Sequence, residues 1–131
     1  WDALDWDDQL GALRKSLRVC QRDLGSRRAQ TAQLISPLLI NVCSPGLAVG
    51  PSGGLSLIWS QNEHGDRWTL CQADWDAEQA KWSEAKTLVS DGDPRFPSVV
   101  YGADGTLWIA YSADSGTGRE IRTKATKTHG R

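Results

Sequence analysis

The sequence predicts an all-β protein made of propeller blades, each of four antiparallel strands, that together form an incomplete propeller. Three observations predict it: an internal repeat with a period near 52 residues, alternation of apolar and polar residues inside each unit, and glycine-containing turns at matching places. One four-stranded blade requires a period of this length, which is too long for an ankyrin or tetratricopeptide unit.

The repeat is plainest where residues 45–73 are laid on residues 97–125 without a gap. Identities fall at Pro45/Pro97, Gly50/Gly102, Gly53/Gly105, Leu55/Leu107, Ser60/Ser112, Arg67/Arg119 and Ala73/Ala125, with Leu47/Val99, Leu57/Ile109 and Trp59/Tyr111 conservative. A partial third copy lies upstream, where Cys20-Gln21-Arg22-Asp23 matches Cys71-Gln72-Ala73-Asp74 and Leu34-Ile35-Ser36 matches Leu88-Val89-Ser90.

Each unit then divides into strands. The first covers 46–49 and, one repeat on, 98–101; turns at 51–54 and 103–105 use the glycines that hairpins need and lead into second strands at 55–60 and 106–112. Third strands follow a polar loop at 67–72 and 119–124, and the fourth is 85–89, with 32–35 in the earlier copy. Residues 17–20 and 4–6 read as the earlier third and second strands.

A short N-terminal helix competes with that last assignment. Trp6, Leu10, Leu13, Leu17, Cys20 and Leu24 are spaced as a helical stripe, with Asp7 and Asp8 early, Arg18 and Arg22 late and Gly25 as a stop. Against the helix stand the Cys-Gln-x-Asp repeat and the interior Gly11. The expected organisation is a partial blade over 1–36, as strands two to four or as a helix plus strand four, a complete blade over 37–90, and strands one to three over 91–131.

Composition excludes several classes. A net charge of −1 argues against a polyanion partner, so neither nucleic acid nor an anionic membrane surface is expected. The longest apolar run, 34–42, is interrupted by Ser36, Pro37 and Asn41 and is far short of the roughly 18 residues of a membrane span. Three cysteines without Cys-x-x-Cys spacing predict neither zinc nor redox chemistry, and no metal or cofactor is expected. The absence of methionine predicts that the sequence is part of a longer product. Tryptophan contributes seven rings against one phenylalanine and two tyrosines, a bias that points to a repeated packing slot or a stacking surface.

Residues 21–28, QRDLGSRR, place aspartate and glycine as in the Asp-box turn between strands three and four, with Gln21 for the usual Ser/Thr and Arg28 for the usual Trp. Asp74 opens a longer loop ending at Trp82, followed by SEAKTLV, and the final ATKTHGR looks like the start of another box. The chain thus resembles the sialidase-like, Asp-box (BNR-repeat) β-propeller superfamily over most of residues 16–131. The resemblance implies that Asp23 and Asp74 are turn formers and that Trp68, Trp75, Trp82 and Trp108 pack between blades. It also implies a secreted or cell-surface location. Tyr101 and Tyr111 lie on predicted strands and read as packing residues.

Blade topology places the ligand face. Loops joining strands two to three, and strand four to the next strand one, emerge together, while one-to-two turns and Asp-boxes emerge opposite. The candidates on the first face are Glu63, His64, Asp66, Asp91, Asp93, Arg95, Asp114 and Arg119, with 36–44 in the earlier copy. Pro94-Arg95-Phe96-Pro97 resembles the aromatic-Arg-aliphatic-Pro motif of sialidases, which implies that Arg95 pairs with a substrate carboxylate.

At about 52 residues per repeat the chain supplies roughly 2.5 blades, whereas closed propellers use about 4 to 8. The rest of the ring is therefore expected from the same longer chain or from other subunits. The leading functional expectation is a binding module for a glycan or other small ligand. The alternatives are part of an exo-sialidase-type glycoside hydrolase whose other catalytic residues lie elsewhere, and a structural assembly subunit.

Overall fold

The computed structural model describes residues 2–8, 12–22, 25, 31–37, 40–62, 65 and 67–127. They contain no helix and form three antiparallel sheets of a propeller-type fold. The first sheet joins β1 (Asp2–Asp7), β2 (Ala12–Val19) and β3 (Gln33–Leu34). The second contains β4 (Asn41–Val49), β5 (Leu55–Asn62), β6 (Thr69–Asp76), β7 (Lys81–Trp82) and β8 (Lys86–Val89), the last two both pairing with β6. The third orders β9 (Arg95–Tyr101), β10 (Thr106–Asp114) and β11 (Arg119–Lys127) as β11-β10-β9.

The repeated residues have repeated backbone jobs. Gly53 and Gly105 take φ of 82° and 77°, a region that L side chains disfavour, and close the turns from β4 to β5 and from β9 to β10. Each turn is fastened alike: Gly50 and Gly102 accept from Gly53 and Gly105 at 2.9 and 3.0 Å. The paired prolines mark matching bulges. Register shifts between Cys43 and Gly46 on β4, and between Ala110 and Ser112 on β10 opposite β9, and the residues before Pro45 and Pro97, Ser44 and Phe96, have φ of 52° and 56°. Proline cannot donate to a ladder, so a bulge is where a strand tolerates it.

The gapless repeat fails after the second strand. Leu57 pairs with Ala73, whereas its counterpart Ile109 pairs with Lys124, so the connection into β11 is one residue shorter than that into β6. Arg119 and Ala125 are therefore not the structural equivalents of Arg67 and Ala73. Ile121 stands where Leu70 stands, because Ser112 and Ser60 are their partners.

Two apolar clusters hold the sheets together. Leu17, Ile40, Val42, Leu57, Trp59, Cys71 and Ala73 pack between the first and second sheets, and Ala48, Ile58, Leu70, Val89, Leu107, Ile109, Tyr111 and Ala113 between the second and third. β5 consequently buries every residue from Ser56 to Asn62, since both of its faces are covered.

The N-terminal segment is strand, not helix. β1 and β2 pair from Asp2↔Leu17 to Asp7↔Ala12, and β2 continues the sheet to β3. Leu17 is fully buried against the second sheet, and its N–H is bound by Ser36 Oγ at 2.8 Å, so tertiary packing overrides the helical spacing. Leu10 and Leu24 of the stripe, and Asp23 of the expected Asp-box, lie outside the described residues.

Asp74 does not open a turn. It sits inside β6, and the turn-forming aspartate is Asp76, whose Oδ1 accepts the Glu78 and Gln79 N–H groups at 2.9 and 3.0 Å. Trp75 and Trp82 face each other edge-on at 5.6 Å in the hairpin that follows, and Trp82 also packs on the core. Trp108 is 49% exposed. Tyr111 is a core residue; Tyr101 packs beside it with its hydroxyl 2.7 Å from Ser56 Oγ.

Candidate functional site

Three connections converge at one end of the second and third sheets: those from β5 to β6, β8 to β9 and β10 to β11. Asp93 ties them together. Its Oδ1 accepts the Trp68 N–H at 3.0 Å, and its Oδ2 accepts Arg95 Nε and Nη2 at 3.0 and 2.7 Å and Arg119 Nη1 at 3.3 Å. Arg119 Nη2 also donates to the Asp93 carbonyl at 2.9 Å and the Ser112 carbonyl at 3.0 Å, while its Nε donates to Ser112 Oγ at 2.7 Å. The Arg95 guanidinium lies 5.1 Å from the centre of the Trp68 ring, a cation–π distance.

Partial burial by itself would raise the Asp93 pKa. The Trp68 N–H and the Arg95 and Arg119 guanidiniums outweigh it and hold the carboxyl below its ordinary range. The backbone here is tightly made: Gly92 and Asp93 have φ of 73° and 47°, and a Cβ on Gly92 would meet the Asp114 carbonyl oxygen at 3.1 Å. The Asp114 N–H donates to the Gly92 carbonyl at 2.6 Å, and Asp114 Oδ1 accepts the Gly116 N–H at 2.8 Å.

Beside this cluster lies an open, polar groove of about 500 Å³, lined by Arg67, Ser90, Gly92, Asp93, Asp114 and Gly116. Of the sequence candidates, Asp93 and Asp114 line it. Arg95 and Arg119 stand behind it, gripping Asp93, and the Nε/Nη2 edge of Arg95 is committed to that carboxylate. Asp91 is turned to solvent and pairs with Arg122 at 3.6 Å. In the earlier copy Ser36 is buried. Glu63, His64 and Asp66 fall outside the described residues. Among the described residues no group of three or more His, Cys, Asp or Glu side chains is placed to hold a metal ion, and no disulfide joins Cys20, Cys43 or Cys71.

The opposite face carries a larger groove of about 800 Å³ between the second and third sheets, with Ser56, Gln72, Asp74, Trp75, Lys86 and Tyr101 on its walls. Asp74 accepts from Ser56 Oγ, from Gln72 Nε2 at 2.7 Å and from Lys86 Nζ at 3.2 Å, and Tyr101 reaches Ser56 from the third sheet. This network joins the sheets; its acceptors are already engaged.

Neither the family models nor the curated proteins include a match to this chain. The fold is similar to the crystal structure of an endo-arabinase from Bacteroides thetaiotaomicron VPI-5482, at a TM-score of 0.54 and 16% identity over 99% of this chain and 56% of that one. The likeness is one of fold. That protein has a propeller-type fold, and this chain spans about half of its length.

Sequence reasoning missed Arg67 as a groove residue and Trp68 as the ring beneath Arg95. The first falls in the strand expected over 67–72, whereas β6 starts at Thr69 and leaves Arg67 in the connection before it. The second carried no signal beyond its residue type.

Proposed function

We propose that this chain is a section of a β-propeller that recognises carbohydrate, and that the ligand lies in the groove lined by Arg67, Asp93 and Asp114. The observation that supports it is the convergence of three connections on one polar groove whose central carboxylate is fixed before any ligand arrives. Sugar hydroxyls are recognised by planar polar groups held rigidly, because ordering cost is then small. Asp114 supplies acceptors and Arg67 supplies donors to ring oxygens, hydroxyls or an acidic substituent, while Asp93, engaged by Trp68, Arg95 and Arg119, holds the surrounding connections in place. In this reading Arg95 positions Asp93 and does not itself grip a sugar carboxylate. The fold likeness to an endo-arabinase supports carbohydrate as the ligand class.

That likeness also favours a second reading, a glycoside hydrolase whose remaining catalytic residues lie outside these 131 residues. A panel of arabinan and sialylated oligosaccharides separates the two. Saturable binding without release of reducing ends by the full-length protein supports recognition, and release of reducing ends by the full-length protein supports catalysis. No binding by any member of the panel removes both.

A further inference from the structure

The strand pairings carry the apolar side of the second sheet past the part that the first sheet covers. Leu57 and Ala73 pair with each other, pack against the first sheet and are 4% and 0% exposed. Two residues away in the same direction, Leu55 and Trp75 keep to that side, and Trp82 joins them by pairing with Trp75. These three are only half-buried, and Leu47 on β4 is 56% exposed. From the first sheet, Val19 lies two residues beyond the buried Leu17 on β2, and Gln33 pairs with it. Between the two walls lies a cavity of about 200 Å³, whose lining includes Trp75, Trp82, Cys20, Gln21, Thr31 and Gln33.

The wall that carries the indole rings is rigid. Asp76 Oδ1 accepts two main-chain N–H groups in the turn from β6 to β7, where Ala80 has φ of 49°. Beyond β7 the Ser83 N–H donates to the Asp74 carbonyl at 2.8 Å, and Ser83 Oγ accepts the Asp74 N–H at 3.0 Å. The two rings stand at 62° to one another, so they form a corner and not a stack. Among the described residues no charged side chain lines the cavity, and its polar side chains are two amides and a hydroxyl, from Gln21, Gln33 and Thr31.

We infer that this cavity is a binding site for one neutral sugar ring, separate from the Arg67 groove. Size sets the first limit. A cavity of about 150 Å³ holds benzene, so this one admits a single six-membered ring with its substituents. The lining sets the rest. A sugar ring presents C–H groups on its faces and hydroxyls around its rim; the indoles cover the first, and amides and a hydroxyl, which both donate and accept, answer the second. A purely aromatic ligand would strip water from Gln21, Thr31 and Gln33 without replacing its hydrogen bonds, and a charged one would meet no opposite charge. The inference does not rest on the ligand reading of the other groove. The two sites share no residue and lie toward opposite ends of β5 and β6.

Cys20, half-buried on the cavity wall and in no disulfide, reports occupancy. The test exposes the native chain to iodoacetamide with methyl glycosides of glucose, galactose, mannose and xylose. Each is used at up to about 50 mM, above the millimolar affinity that a ligand of about a dozen heavy atoms reaches. Alkylation is mapped by mass spectrometry and binding followed by ligand-observed NMR. At least one glycoside should slow Cys20 alkylation saturably by about three-fold or more and leave Cys43 unchanged. Gln33→Leu, at an exposed strand position, should weaken that binding by about ten-fold, and Arg67→Ala should leave it unchanged. If Cys20 is not alkylated in the unliganded chain, the NMR titration of the same variants decides. No protection and no binding by any glycoside overturns the inference. So does stronger protection by indole than by every glycoside, because the site is then an aromatic one. Loss of protection in Arg67→Ala with none in Gln33→Leu also overturns it, because the sugar then occupies the other groove.

Discussion

Asp93 and Arg119 meet twice, side chain to side chain at 3.3 Å and guanidinium to main-chain carbonyl at 2.9 Å, which fixes the start of β11 to the loop that begins β9. With Arg95 on the same carboxylate, Asp93→Asn removes the charge from two arginine contacts in one step. A loss of about 1–3 kcal/mol in unfolding free energy is expected by denaturant titration. An unchanged midpoint contradicts the role given to this residue.

The same carboxyl sets a pH dependence. Its pKa is lower in the folded than in the unfolded chain, so its contribution is present above the unfolded value, near about 4, and is lost as pH falls through the folded value. Thermal unfolding between about pH 5 and 2 should therefore fall more steeply for the native chain than for Asp93→Asn. Parallel curves contradict the pKa direction.

Gly92 is held at a φ of 73° with the Asp114 carbonyl at its back. Gly92→Ala should cost more than about 1 kcal/mol, because the backbone strain and the close contact act together. Tm by calorimetry checks this, and Gly53→Ala, at φ of 82° with open space around it, shows the conformational part alone.

Ile109 and Ile121 have the same chemistry and opposite surroundings, 1% and 73% exposed. Ile109→Ala should cost about 2–5 kcal/mol and Ile121→Ala less than about 0.5. Equal costs in denaturant titrations contradict the assignment of inner and outer faces.

Much of the architecture is legible in the sequence, since glycines at 53 and 105 and prolines at 45 and 97 mark backbone conformations that few residues adopt. What the sequence hides is register. One residue fewer in the connection into β11 moves Ile121, not Arg122, onto the Leu70 position, and no composition signal reports such a change. The site is less legible still. Asp93, Arg95 and Arg119 can be assigned to one face by topology, but only the fold reveals that they satisfy one another and leave Arg67 and Asp114 to line the groove.

The central claim is carbohydrate recognition in that groove, and calorimetric titration tests it most directly. The oligosaccharide that binds best in the panel is titrated into the native chain and into Asp114→Ala and Arg67→Ala, each checked for native Tm. The account predicts saturable binding to the native chain and at least about ten-fold weaker binding to each variant. Equal affinity across all three proteins contradicts it.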